Sequence, residues 1–354
     1  MKLSVPFIPD SAYTRFLSER ITVIESVYFT LHSGPVLDAR MRFIKTGQNR
    51  IRDGLNALGP VKKYCLLNAR FIRPDHCHDP LFLEELANRL SFLMTDAGIT
   101  GFVFSDAYLL TALASTGRKD IFGLEAVPGI NCMIDTFDKA DVFFELIEQS
   151  GFQPPGKITL DRSLNRDLIR LEKIAGTIRQ TYPSIKIELL ANEGCILHCP
   201  FKLAHDAHIS LTNTGEARDF NFSTNRKFGC HPYFFNHPER FFKSPFIRPE
   251  DIGRYRLFAD TIKLCGRTLG PRFLSVCVDA YIEESYSGNL LEIMDATCWM
   301  SDLYHIENKW LDPGFLNVVT KCNKFCADCN HCRNFLNNTA KKKSVKLKKY
   351  EDCL

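Results

Sequence analysis

Short apolar runs alternate with amphipathic, helix-like runs along most of the chain, and this alternation restricts the fold more than any other feature of the sequence. Residues 24–31, 64–69, 101–105, 124–134, 157–160, 185–190, 241–246 and 261–264 read as strands bounded by turn or polar residues, the pattern of strands buried on both faces. Between them lie helical stripes. Leu83, Leu86, Leu90, Leu93 and Ala97 recur at helical spacing and Gly98 closes the run. Val142, Phe143, Leu146 and Ile147 end at Gly151, and Leu168, Leu171, Ile174, Ala175 and Ile178 form another stripe. Eight such units in succession predict an α/β fold, a (β/α)8 barrel of the TIM type. A doubly wound open sheet would call for a Gly-rich phosphate loop, and neither G-x-G-x-x-G nor a Walker motif occurs.

Two segments break the alternation. Residues 195–240, after the sixth predicted strand, form a long Cys/His/Phe-rich insertion, and long loops in compact barrels are usually functional. Residues 299–354 carry a second cysteine group and a basic tail. The expected organisation is therefore a barrel over 1–298, including the 195–240 loop, and a Cys-rich, metal-binding segment over 299–354.

The chain begins without a charged stretch leading into a long apolar core, and has no run of about 18 apolar residues. The expectation is a cytoplasmic protein with no membrane partner. Its 14 cysteines then read as metal ligands, reactive thiols or core residues rather than disulfides. The net charge of +4 is too small to argue for nucleic acid by itself. Lys341, Lys342, Lys343, Lys346, Lys348 and Lys349 crowd the end; such a tail suits tRNA or another RNA, although a solvated terminus is the favoured reading.

In barrels, catalytic side chains stand where strands end. Those ends supply Glu25 and His32, Asn68 and Arg70, Ser105 and Asp106, Asn131 and Asp135, Asp161 and Arg162, Asn192 and Glu193, Lys243 and Arg248, and Lys263 and Arg267. Asp106 and Asp161 also read as helix caps. Glu193, Lys243, Arg248, Lys263 and Arg267 are the candidate catalytic group, a set suited to a small anionic substrate.

Cys195 and Cys199 lie just past a strand end, Cys230 further along the same loop, and Cys265 at the end of the last strand. Their thiolates converging at the barrel mouth suit an iron–sulfur cluster or zinc. Cys322, Cys326, Cys329 and Cys332 have C-x3-C-x2-C-x2-C spacing, which wraps one cubane more naturally than a two-knuckle zinc ribbon. A zinc clip is the alternative there, with His331 able to replace one thiol. One or two [4Fe–4S] clusters are thus expected. Cys65, Cys77, Cys132, Cys277, Cys298 and Cys353 lack partner spacing; Cys132 and Cys277 read as core. One thiol set is expected to face the active site, the other to lie outside the barrel.

The run Ile187-Glu188-Leu189-Leu190-Ala191-Asn192-Glu193-Gly194-Cys195, the later Cys199, Ile247-Arg248-Pro249-Glu250-Asp251 and Lys263-x-x-Gly266-Arg267 together resemble peptidase family U32, over roughly residues 20–290. The resemblance implies a (β/α)8 barrel. It also implies either the peptidase activity for which the family is named or oxygen-independent hydroxylation on a [4Fe–4S] cluster, with Cys195, Cys199 and Cys230 matching such ligands. Asn192-Glu193-Gly194 and Cys265 depart from the family pattern, as does the C-terminal cysteine run, which marks a divergent member. Three functions are expected in order: an iron–sulfur redox enzyme, acting on a small or nucleic-acid-linked substrate and paired with a U32-like or redox protein; a hydrolase; and a non-catalytic, metal-stabilised partner of RNA or protein.

Overall fold

The structure is a computed structural model that describes residues 1–31, 37–40, 47–218 and 220–343. His32, Lys346, Lys348, Lys349 and Cys353 lie outside the described residues. Eight strands form one parallel sheet: β1 (Lys2–Pro6), β2 (Ile24–Thr30), β3 (Lys62–Leu67), β4 (Gly101–Phe104), β5 (Glu125–Pro128), β6 (Lys157–Thr159), β7 (Lys186–Leu190) and β8 (Thr261–Lys263). Their order is β5-β4-β3-β2-β1-β8-β7-β6. The edges β5 and β6 meet through a parallel bridge between Glu125 and Gln153, and the Gly156 N–H donates to the Glu125 carboxylate at 2.9 Å. The sheet is thus nearly closed into the expected TIM-type (β/α)8 barrel.

The strand count was right but one member was not. The run 241–246 is no strand; Pro238–Lys243 is a 3-10 turn. Pro238 and Pro245 bracket the run, and proline has no N–H to give to a ladder. Its phenylalanines are buried because they pack against other aromatic side chains, Phe241 on Phe246 at 4.9 Å and Phe242 on Phe315 at 5.9 Å. The eighth strand is instead β1, at the start of the chain. The predicted strand 124–134 is also shorter: β5 stops at Pro128, and Cys132 lies in a following turn rather than in a strand.

Around the barrel stand α1 (Ser11–Ser18), α2 (Gln48–Ala57), α3 (Pro80–Ala97), α4 (Ala107–Ser115), α5 (Phe137–Ser150) and α6 (Leu168–Thr181). Gly98 and Gly151 close α3 and α5 in the left-handed conformation, as their positions predicted. The insertion between β7 and β8 is mostly helical: α7 (Lys202–Thr214), α8 (Asn221–Phe228), α9 (Cys230–Asn236) and α10 (Ile252–Tyr255). After α11 (Gly270–Ile282), the C-terminal segment adds α12 (Phe315–Lys321), α13 (His331–Thr339) and the two-stranded ribbon β9 (Tyr304–Ile306) with β10 (Ala340–Lys342). Phe315, Leu316, Val319 and Leu336 join the same apolar core as the barrel's outer face.

The barrel interior is a different environment. Tyr28, Tyr64, Leu66, Val103 and Val127 form a small separate apolar cluster. The fully buried Glu188 accepts hydrogen bonds from Lys157 (2.8 Å), Thr159 (2.8 Å) and Lys263 (3.3 Å). Lys157 also reaches Ser4 and Ser26, while Lys263 lies over the Tyr28 ring. Burial alone would raise the Glu188 pKa, but the two ammonium charges and their hydrogen bonds prevail and hold it at about 2. Burial and repulsion by Lys263 bring Lys157 down to about 8 against the pull of Glu188.

Candidate active site at the C-terminal mouth of the barrel

The strand ends open onto a dense polar network. From the β2 end, the buried Asp38 accepts hydrogen bonds from Thr30 and Arg267. Arg40 pairs with Asp295 at 2.7 Å and reaches Glu193 at 3.9 Å. Beyond β3, Asn68 accepts from the Ala39 N–H, and Arg70 donates to the Asn131 carbonyl and stands 3.7 Å from Asp206. Lys202, at the first turn of α7, bonds both Asp206 oxygens at 2.5 and 2.6 Å and Asn131 at 3.1 Å. Arg162, after β6, bonds Glu193.

The turn after β7 sets this arrangement. Asp295 and Ala296 donate their N–H groups to the carbonyls of Asn192 and Glu193, which fixes the Glu193 backbone. Gly194 follows at φ +72, and a Cβ there would lie 2.4 Å from Thr297 Oγ1. Only glycine fits that turn without strain. Asn192 is fully buried; its Oδ1 accepts the Cys265 N–H at 2.7 Å and its Nδ2 donates to the Cys265 and Ile293 carbonyls.

Of the five candidate catalytic residues, Glu193 and Arg267 stand at the mouth. Lys263 lies inside the barrel, on Glu188. Lys243 and Arg248 do not reach the mouth network, because the segment they flank is not a strand. Lys243 donates to the Lys324 carbonyl at 3.3 Å. Arg248 makes a buried pair with Asp251 and lies over the Phe315 ring, holding the C-terminal segment in place. Asp106 and Asp161 cap their helical turns, as the sequence suggested. Arg40, Lys202, Asp206 and Asp295 were not foreseen. The i,i+4 spacing of Lys202 and Asp206 was a usable signal; Asp295 follows the last barrel helix and carried none.

The mouth thiols stand around the same charged groups: Glu193 acts on Cys195, Cys199 and Cys265 alike. Cys195 feels Glu193, Arg162, Arg40 and Lys202; burial raises its pKa well above 9 despite those cations. Cys265 is buried, with Sγ 3.3 Å from Asn192 Oδ1, and burial and Asp295 likewise keep it a thiol. Cys199 and Cys230 are electrostatic neighbours: burial, and then Cys199, push Cys230 to about 11. Among the described residues, no three His, Cys, Asp or Glu side chains are gathered closely enough to hold one ion as they stand.

The second thiol set lies outside the strands, as expected, but against the same end of the barrel. Cys322, Asn323 and Lys324 line one pocket with Leu197 and His198 of the mouth loop and with Ser163 and Arg166 of the turn after β6. Tyr233 is within electrostatic reach of both Cys199 and Cys326.

A parallel eight-stranded barrel with a charged, thiol-bearing mouth is the class of protein defined here. The chain is 28% identical over 253 residues to a protein of Methanocaldococcus jannaschii named "Uncharacterized protease MJ1657", which covers 71% of this chain and 69% of that one. A solved structure, "The Structure of the U32 Peptidase Mk0906", superposes with a TM-score of 0.51 at 18% identity, over 75% of this chain and 93% of that one. No protein-family model matches the chain. The resemblance to peptidase family U32 read from the sequence is borne out: the chain is similar in sequence to the first of these proteins and shares the fold of the second. Among the described residues no helix is long and apolar enough to cross a membrane.

Proposed function

We propose that the chain is an enzyme acting at the barrel mouth on a small anionic substrate, with an iron–sulfur cofactor on the mouth thiols. The observation that carries this reading is the convergence of Arg40, Arg162 and Lys202 on Glu193 and Cys195. Guanidinium groups at a half-buried site suit carboxylate or phosphate oxygens, free or carried on RNA. Glu193, between Arg162 and Arg40, is the carboxylate positioned to hold or pass a proton beside that anion. Cys195, Cys199 and Cys230 have the donor chemistry for a cluster; Cys265 is engaged by Asn192 and is left out of the set. When bound, a cluster supplies one-electron transfer, with electrons delivered by a partner redox protein.

A hydrolase is the second reading, favoured by the protease and peptidase names of both relatives. In that reading Glu193 acts as base toward water, since the raised pKa of Cys195 disfavours thiolate attack. The two are separated by purifying the full chain without oxygen, measuring iron, sulfide and visible absorption, and assaying the same sample on a peptide panel. Iron and sulfide lost in Cys199→Ser/Cys230→Ser support the redox enzyme. Colourless, iron-free protein whose peptide cleavage is lost in Glu193→Gln replaces it with the hydrolase.

A further inference from the structure

Cys322, Cys326 and Cys329 lie in the loop that joins α12 to α13 and Cys332 in the first turn of α13, and none of residues 322–332 is buried. This is unusual for cysteine, which is among the most buried residue types when it serves only packing. Cys322 and Cys329 are exposed, and all four thiols are free. All four line one cavity, with Arg240, Lys243, Lys324 and Arg333 also on its wall. A cavity carrying four potential thiolates and several cations is electrostatically prepared for a complex of net negative charge.

We infer that Cys322, Cys326, Cys329 and Cys332 form a soft-metal centre, separate from the mouth thiols, that fastens this loop against the mouth. Two features support the assignment. The loop has a firm frame but no core of its own: α12 and α13 dock through Phe315 and Phe335, whose tilted rings lie 5.5 Å apart, and Lys324 donates to the Val319 and Cys322 carbonyls from a left-handed backbone position at φ 62. The thiols are also mutually within electrostatic reach. Cys322, Cys326 and Cys329 all act on Cys332, and the four thiols line the same cavity between α12 and α13. The sulfurs surround the cavity rather than meeting at a point. Metal uptake would draw the loop inward, and it has no buried residue to resist that movement. Zinc and an iron–sulfur cluster share this thiolate chemistry, and the test distinguishes them.

Because Cys322, Asn323 and Lys324 share a pocket with Leu197 and His198, the centre would also steady the loop bearing Cys195 and Cys199. The experiment uses the full chain, purified without oxygen, with iron, sulfide and zinc measured per chain, and metal-stripped chain titrated with Co(II). Wild type is compared with Cys322→Ser/Cys326→Ser/Cys329→Ser/Cys332→Ser and with Cys199→Ser/Cys230→Ser. The expected result is a thiolate-to-Co(II) charge-transfer band at one equivalent per chain, present in wild type and the mouth variant but lost in the C-terminal variant. Loss of native zinc in the C-terminal variant identifies a zinc clip, and loss of iron with sulfide identifies a cluster; either supports the centre. Amide exchange at residues 197–201 should rise in the C-terminal variant while the barrel strands stay protected, which shows that the variant is folded. Equal metal content and Co(II) spectra in wild type and that folded variant would overturn the inference. Since the mouth variant is scored separately, failure of this centre is distinguishable from failure of the mouth cofactor.

Discussion

Replacing Glu188 by glutamine removes the carboxylate on which Lys157 and Lys263 converge inside the barrel. Both ammonium groups stay buried after the change, with Ser4, Ser26 and the tyrosine rings as their remaining neighbours. Breaking a buried ion pair from one side costs about 3–5 kcal/mol. At roughly 2.1 cal/mol/K of unfolding entropy per residue, the 354-residue chain has about 0.74 kcal/mol/K, so the expected fall in Tm at pH 7 is about 4–7 °C. Two pH effects follow from the pKa shifts. Glu188 is held below the ordinary carboxylate value of 4.5, so its contribution is present above that pH and is lost as pH falls toward about 2; the gap between wild type and variant narrows there. Glu188 helps to hold Lys157 at about 8, so without that carboxylate the lysine sheds its proton at a lower pH than in wild type, and the gap between the two also narrows as pH rises toward about 8. Calorimetry from pH 3 to 9 provides the assay, with Glu188→Gln/Lys263→Met as the companion that removes one stranded charge and regains part of the loss. A Glu188→Gln protein within about 1 °C of wild type across that range would refute the claim that the barrel interior is an ion-paired network.

Phe315→Ala empties the stack between Phe242, Phe246 and Phe335, and should cost about 3–5 kcal/mol and open the C-terminal segment to limited proteolysis before the barrel. Gly194→Ala forces a side chain into a left-handed turn against Thr297; it should lower Tm, at a cost of about 1–2 kcal/mol from backbone strain alone, and weaken substrate binding as measured by calorimetry. His205 is brought to about 4, by burial first and then by Arg40 and Lys202, so its NMR titration should show a neutral ring from pH 5 to 8. Since the unfolded chain takes up that proton near pH 6.5 and the folded chain does not, His205 should make stability fall as pH drops from about 6.5 toward 4, an effect absent in His205→Gln.

The barrel was legible because its strands are short, apolar and spaced by helical stripes. The exchange of β1 for 241–246 shows where that signal fails. Lys2 and Ser4 dilute the apolar pattern of β1, since Ser4 points into the polar barrel interior and bonds Lys157. Residues 241–246 look more strand-like than β1, yet their phenylalanines are buried by tertiary packing, with no ladder. The error moved Lys243 and Arg248 into a site they do not join. Glu193 and Arg267 stand at the mouth because they follow true strands. Arg40 and Asp295 come from opposite ends of the chain, 255 residues apart, and only the closed barrel brings them together. Cysteine spacing marked both thiol sets, but their placement at one end of the barrel depends on how α12 and α13 dock, which no spacing encodes.

The most direct test of the central claim is the iron and sulfide content of the full chain purified without oxygen, compared with Cys199→Ser/Cys230→Ser. A cluster held at the mouth predicts about four irons and matching sulfide that are lost with those two thiols and kept when Cys322, Cys326, Cys329 and Cys332 are replaced. Iron-free wild-type protein, or an iron and sulfide content that does not fall when the mouth thiols are lost, would contradict it.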